Sequence, residues 1–217
     1  MATDSSKLLL MPIERRDGTY VLRLGLTQGE LNLADLQHIT AVMTKYNLPS
    51  LCSTTGQRMN IEGVPADKLD EITAALGVSV EKAPPGVSVC PGAAQCKLGQ
   101  QRTREIGKKI LALVKENGPY PYKVKSGVSG CKTACAMSYV RDIGLLGGPK
   151  GWDVMFGGGA TRNAGPGVVL GKGLSSEEAL ELLRKALIFY RENGKKRERT
   201  RATIARLGED ALLDALK

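Results

Sequence analysis

Apolar side chains recur at every second position through Tyr20, Leu22, Leu24 and Leu26, so residues 19–26 predict a strand with one apolar face. Val21, Arg23 and Gly25 form its other face. The period then lengthens. Leu33, Leu36, Ile39 and Met43 are spaced for a helix that starts near Asn32, whose short amide side chain suits an N-cap. Residues 49–53 and 58–62 predict two short strands around the turn Thr54-Thr55-Gly56. Pro65 opens a second helix carrying Leu69, Ile72 and Leu76, and Gly77 stops it. Residues 78–81 predict a fourth strand, and residues 1–18 a loose lead-in. The order β-α-β-β-α-β is that of a ferredoxin-like split βαβ module. Two helices cover one face of such a sheet and leave the other open to a ligand.

A Pro-Gly-rich linker at residues 83–86 divides the chain into a module of residues 1–82 and a domain of residues 83–217. In the second part, residues 97–116 predict a helix with Ile106, Ile110, Leu113 and Val114 apolar, closed by Asn117-Gly118-Pro119. Strands are predicted at 122–128, 142–146 and 152–156, with a further glycine-rich strand inside 165–173. Ser175 and Glu178 read as a capping box ahead of a long helix reaching Glu192. A basic run, Lys195, Lys196, Arg197, Arg199 and Arg201, precedes a helical tail. The fold class is therefore α+β.

Composition narrows the function classes. Hydrophobic residues make 42% of the 217, enough for a packed core, while aromatics at 4% make that core aliphatic. No apolar run reaches the length of a membrane span, and the segment Leu8 to Met11 is too short for a signal-peptide core. Five cysteines with no export signal point to a reducing cytoplasm. The net charge of +9 calls for an anionic partner. The basic residues are spread along the chain without an aromatic RNA-binding motif, so a polyanionic cofactor or an oxyanion substrate accounts for the charge as well as nucleic acid does.

Four of the five cysteines are paired in sequence: Cys90 with Cys96, and Cys131 with Cys135. Four soft thiolates suit zinc or an iron–sulfur cluster. The spacing is wider than that of ordinary zinc ribbons, which favours a [4Fe-4S] cluster over zinc; reduced core cysteines are the plain alternative. Cys52 stands apart and is expected to be a buried free thiol. His38 is the one histidine and lies in a predicted helix. Lys123 and Lys125 flank Val124 on a predicted strand just before the second cysteine pair, so both ammonium groups point to one side.

Three features in order carry a resemblance to the siroheme-dependent nitrite and sulfite reductases. They are the Cys-x5-Cys…Cys-x3-Cys pattern, the segment from Thr54 to Gly63 (TTGQRMNIEG), and the run from Tyr122 to Cys131 (YKVKSGVSGC). The length is similar to that of the small single-module assimilatory-type sulfite reductases. The resemblance implies that Cys90, Cys96, Cys131 and Cys135 bind a [4Fe-4S] cluster, with Cys135 also bridging to a siroheme iron. It implies that Lys123 and Lys125 bind the substrate anion, sulfite or nitrite. Larger relatives place an arginine near Gly25 and another before the first cysteine; here Arg23 substitutes for the first, and Arg102 or Arg104 stands in for the second. Several relatives carry an arginine where Gly56 stands; here Arg58, with Gln57 and Asn60, is expected to bind siroheme carboxylates. No flavin or nicotinamide motif is present, so the electrons are expected from an external low-potential donor such as a ferredoxin. Neither nucleic acid nor a membrane is an expected partner. Other readings of the same residues are a non-catalytic electron carrier or redox sensor, and a zinc-stabilised nucleic-acid binder. A single-module chain could also form a homodimer.

Overall fold

A computed structural model describes residues 9–26, 28–77, 79–80 and 86–217. Residues 83–85 of the predicted linker and the outer residues of the fourth strand, Val78 and Glu81, lie outside that set, while Gly86 opens a strand. The chain divides into two compact units at Pro84/Pro85.

In the first unit, the described residues form one sheet of order β3-β4-β2-β1-β5. β1 is Leu9–Glu14, β2 Tyr20–Gly25, β3 Leu51–Ser53, β4 Met59–Val64 and β5 Ser79–Val80. Helix α1, Leu33–Lys45, follows β2, and α2, Leu69–Ala75, precedes β5. This is the expected split βαβ pattern with one strand added. Residues 9–14 of the predicted lead-in are strand β1, inserted between β2 and β5. Pro12 lies inside β1, paired with Leu22 of β2, and among the described residues β5 pairs with Leu9 and Leu10.

Leu10, Leu22, Leu24, Ile39, Ile61 and Ile72 pack as the core of this unit. Asn32 caps α1 as expected, its Oδ1 accepting the Asp35 N–H at 2.8 Å. The helix buries Ile39 and Val42, whereas Leu33 and Leu36 remain exposed. Helical spacing defines a face but not how much of its length meets the sheet.

The second unit is a sheet of order β10-β9-β8-β7-β6 with helices packed on it. β6 (Gly86–Val89), β7 (Lys125–Ser129) and β8 (Ile143–Gly148) run parallel. β9 (Gly151–Phe156) and β10 (Val168–Leu174) continue the sheet antiparallel. Helix α3, Thr103–Glu116, links β6 to β7; α4, Ser176–Asn193, packs against α3 and β9. α5 (Thr200–Leu207) and α6 (Glu209–Asp214) end the chain. The Ser175–Glu178 capping box forms in both directions.

The core of this unit joins Val128, Ile143, Leu145, Val154 and Phe156 of the sheet to Ile106, Ile110, Leu183 and Leu187 of the helices. Trp152 belongs to the same core. Two expectations shift here. α3 begins at Thr103 rather than near residue 97. β7 begins at Lys125, opposite Gly86 at the start of β6, so Lys123 precedes the strand.

Candidate cofactor and anion site

Both cysteine pairs open at the C-terminal ends of adjacent parallel strands. Cys90 directly follows β6, and Cys131 follows β7 after Gly130. This edge is where open α/β sheets place their ligands, because successive loops leave a crevice there. Backbone bonds fasten the two loops together: Cys90 N–H to Val128 O at 3.1 Å, and Gln100 N–H to Gly130 O at 2.7 Å. The Gly130 N–H donates to Cys90 Sγ at 3.1 Å. Any side chain at Gly130 would meet Gly92 Cα at 2.7 Å and Gln101 O at 2.8 Å, so the contact between the loops requires glycine. These contacts also hold residues 97–102 in turns and delay α3.

All five cysteines are free; Cys90 and Cys131 are half-buried, Cys96 and Cys135 exposed. A hydrogen bond from the Thr133 side chain, then one from its backbone, lowers the Cys131 thiol below its ordinary value. A cavity of about 440 Å³ borders Cys131 and is lined also by Lys132, Thr133, Gly148 and Pro149. The structure brings the loops together, not the sulfurs: among the described residues, no three His, Cys, Asp or Glu side chains converge on one point. The fit to a cluster rests on the donor set, four unpaired soft thiols on two docked loops. Cys52, expected buried, is exposed on β3.

From Cys131 the chain runs back along the sheet to the other end of β7. Ala136 N–H donates to Ser129 Oγ at 3.1 Å, and the Ser129 and Ser138 hydroxyls meet at 2.8 Å. Ala134 and Met137, on either side of Cys135, adopt positive φ of 57° and 58°. Such backbone costs energy for residues with a Cβ and clusters at functional sites.

At the far end lies Asp142, fully buried. Its carboxylate accepts the Lys125 N–H at 2.8 Å, the Arg199 Nε at 3.2 Å and Nη2, and the Thr200 hydroxyl. Lys125 is lowered from its ordinary value by burial first, then by Lys123, Arg141 and Arg199; Asp142 opposes this. Lys123 and Lys125 are exposed on either side of buried Val124, and Lys123 Nζ lies 5.2 Å from the Tyr122 ring centroid. The basic run packs nearby, with Arg197 N–H bonded to Pro121 O at 3.0 Å. Sequence reasoning missed Asp142. The available signal was a carboxylate at the mouth of an uninterrupted apolar strand, which requires a buried cation.

In the first unit, Arg23, Asn60 and Cys52 are cross-strand neighbours, on the face opposite the Leu22, Leu24 and Ile61 core. Arg23 Nε donates to Asn60 Oδ1 at 3.0 Å, and Asn60 Nδ2 to Glu62 Oε1 at 3.2 Å. Arg58, two residues before Asn60, is lowered by burial and then by Arg23. Gln57 sits at the turn with φ of 54°. Arg102 and Arg104, either of which was expected to stand in for a family arginine, flank the start of α3 in the second unit.

A sheet edge carrying four free thiols on two docked loops is a donor set that suits a soft metal centre. The family model described as "Nitrite and sulphite reductase 4Fe-4S domain" matches residues 81–217, and "Nitrite/Sulfite reductase ferredoxin-like half domain" matches residues 13–78. The chain belongs to the nitrite and sulfite reductase family, and its cofactors are a [4Fe-4S] cluster and siroheme. It is 34% identical over 210 residues to "Sulfite reductase, assimilatory-type" of Nitratidesulfovibrio vulgaris, spanning 94% of this chain and 95% of that one. It is 34% identical over 200 residues to "Nitrite reductase [NAD(P)H]" of Bacillus subtilis, spanning 89% of this chain but 24% of that protein. The fold matches the structure of Mycobacterium tuberculosis NirA with a TM-score of 0.75 at 20% identity, over 94% of this chain and 41% of that one. It matches dissimilatory sulfite reductase I with a TM-score of 0.73 at 14% identity, over 91% and 68%. Among the described residues no helix is long and apolar enough to cross a membrane.

Proposed function

We propose that this chain is an assimilatory-type sulfite reductase that reduces sulfite to sulfide with six electrons. The observation that carries the choice of sulfite is the match to the Nitratidesulfovibrio protein along nearly the full length of both chains. Nitrite is the second reading, favoured by the equal identity to the Bacillus enzyme, of which this chain spans only 24%. The domain division is 1–82 and 83–217.

Cys90, Cys96, Cys131 and Cys135 hold the [4Fe-4S] cluster, and Cys135 also ligates siroheme. When bound, the two groups would supply low-potential electrons and an iron able to take up the substrate anion. Lys123 and Lys125 attract the anion and deliver protons as its S–O bonds break. Burial and neighbouring cations ease proton release from Lys125. Arg23 is a further anion-binding residue. Arg58, Gln57 and Asn60 bind siroheme carboxylates, a role suited to guanidinium and amide donors. The cytoplasm supplies an external low-potential donor such as a ferredoxin, drawn by the +9 charge. The chain acts as a homodimer: it spans 41% of the NirA structure, a length that two copies supply. Light scattering showing a monomer rejects the dimer.

The substrate is tested by steady-state kinetics of the holoprotein with reduced methyl viologen. A higher kcat/KM for sulfite than for nitrite supports the reading; a higher value for nitrite replaces it with the second.

A further inference from the structure

We propose that Ser129 is the positioning residue of Cys135: its buried hydroxyl fixes the turn that presents this thiol, and siroheme binding depends on it. The inference rests on the reading that Cys135 ligates siroheme. Cys135 and Ala136 are the central residues of a turn closed by the Met137 N–H, which donates to Ala134 O at 2.7 Å. Both ends of that turn, Ala134 and Met137, hold positive φ. Residues with a Cβ rarely adopt such backbone, and it persists only where the surroundings hold it.

The grip lies on the buried side of the turn. Cys135 is exposed, whereas the next residue, Ala136, is buried. The Ala136 N–H donates to Ser129 Oγ at 3.1 Å, and that hydroxyl meets Ser138 Oγ at 2.8 Å. Ser129 and Ser138 are both buried, so each hydroxyl fixes the rotamer of the other. Ser129 also stands two residues before Cys131. One strand end therefore leads into the third thiol of the set and clamps the turn that carries the fourth.

The sheet is shaped for this contact. Val128 packs into the helical core, so Gly127 and Ser129 face the other side of β7. Gly127 pairs with Gly144 of β8. A Cβ at Gly127 would come within 2.5 Å of Ala136 O, and one at Gly144 would collide with Ser138 O. The two glycines let residues 136–138 lie directly on the sheet, and Ser129 supplies a hydrogen bond that holds them there. A hydrogen bond behind a metal-binding side chain orients it, and losing that bond weakens binding of the group it holds.

Ser129→Ala tests this with two readouts. Hydrogen exchange of the holoprotein, followed by mass spectrometry, should quicken over residues 131–138; exchange equal to the parent's overturns the inference. Siroheme titrated into the cluster-loaded chain, followed by its absorption band, should bind with a Kd about tenfold higher. Ser129→Thr keeps the hydroxyl and should keep the parent Kd. An unchanged Kd in Ser129→Ala overturns the inference even where urea unfolding shows a loss of stability, because a merely structural serine moves stability alone. Should Ser129→Ala yield no cluster-loaded chain, Ser138→Ala decides, since it removes the partner hydroxyl and leaves the Ala136 bond in place. A raised Kd there supports the inference and an unchanged one overturns it. Cys135→Ser, run in parallel, keeps the parent reading separate. Full siroheme binding by that variant rejects Cys135 as the ligand; siroheme loss there, with an unchanged Kd in Ser129→Ala, rejects the role of the serine alone.

Discussion

At the scale of single residues, the chemistry divides between thiols legible in the sequence and a carboxylate that was not. Cys90, Cys96, Cys131 and Cys135 announce themselves by spacing, and Cys52 by its isolation. Cys135→Ser is expected to lose siroheme absorption and most bound iron, while Cys52→Ser retains both; iron analysis and a visible spectrum check this. Asp142 is different. Its partners Lys125, Arg199 and Thr200 come from β7 and from the start of α5 with the residue before it, up to 58 residues away, so no local pattern reveals the cluster. Removing one partner of a buried ion pair leaves an uncompensated charge, and Asp142→Ala is expected to cost about 3 kcal/mol, measured by urea unfolding. Glu198 adds a pH dependence. Its bond from Arg206 above all, then bonds from Lys195 and Thr203, lower it from 4.5 to about 2 against the opposing effect of burial. The group thus stabilises the fold fully above its ordinary value, and that contribution disappears as the pH falls toward 2. Glu198→Gln should be less stable than the parent at pH 7, with the gap closing on acidification below about pH 4.5.

At the scale of elements, periodicity located most strands and helices, and long-range contacts decided where they end. The six-residue strand β1 was invisible because Pro12 within Leu9–Glu14 argues against a strand. The start of α3 was read too early because a lone Gly99 inside an otherwise helical stretch is a weak stop signal. What holds it in turns is the bond from the Gln100 N–H to the O of Gly130, the residue just after β7. Lys123 falls outside β7, which begins at Lys125. Loop docking itself leads to a prediction. Gly130→Ala forces a Cβ into Gly92 and Gln101 O, pushing the two cysteine loops apart. Iron incorporation should fall sharply while far-ultraviolet circular dichroism stays near that of the parent; full iron content would show that loop contact does not shape the site.

At the scale of the whole molecule, the fold class and the order of the two units were legible because each half has its own hydrophobic period and core. The family followed from cysteine spacing together with the two flanking motifs, and matches to both halves agree with it. Substrate was not legible, because sulfite and nitrite are both small anions that the same cations attract. The central claim is that this chain couples its thiolate edge to the six-electron reduction of sulfite. The most direct test is an anaerobic assay of the holoprotein with sulfite and reduced methyl viologen, measuring viologen consumed and sulfide formed. The account predicts six one-electron donors oxidised per sulfide released; holoprotein that binds siroheme and iron but forms no sulfide would contradict it.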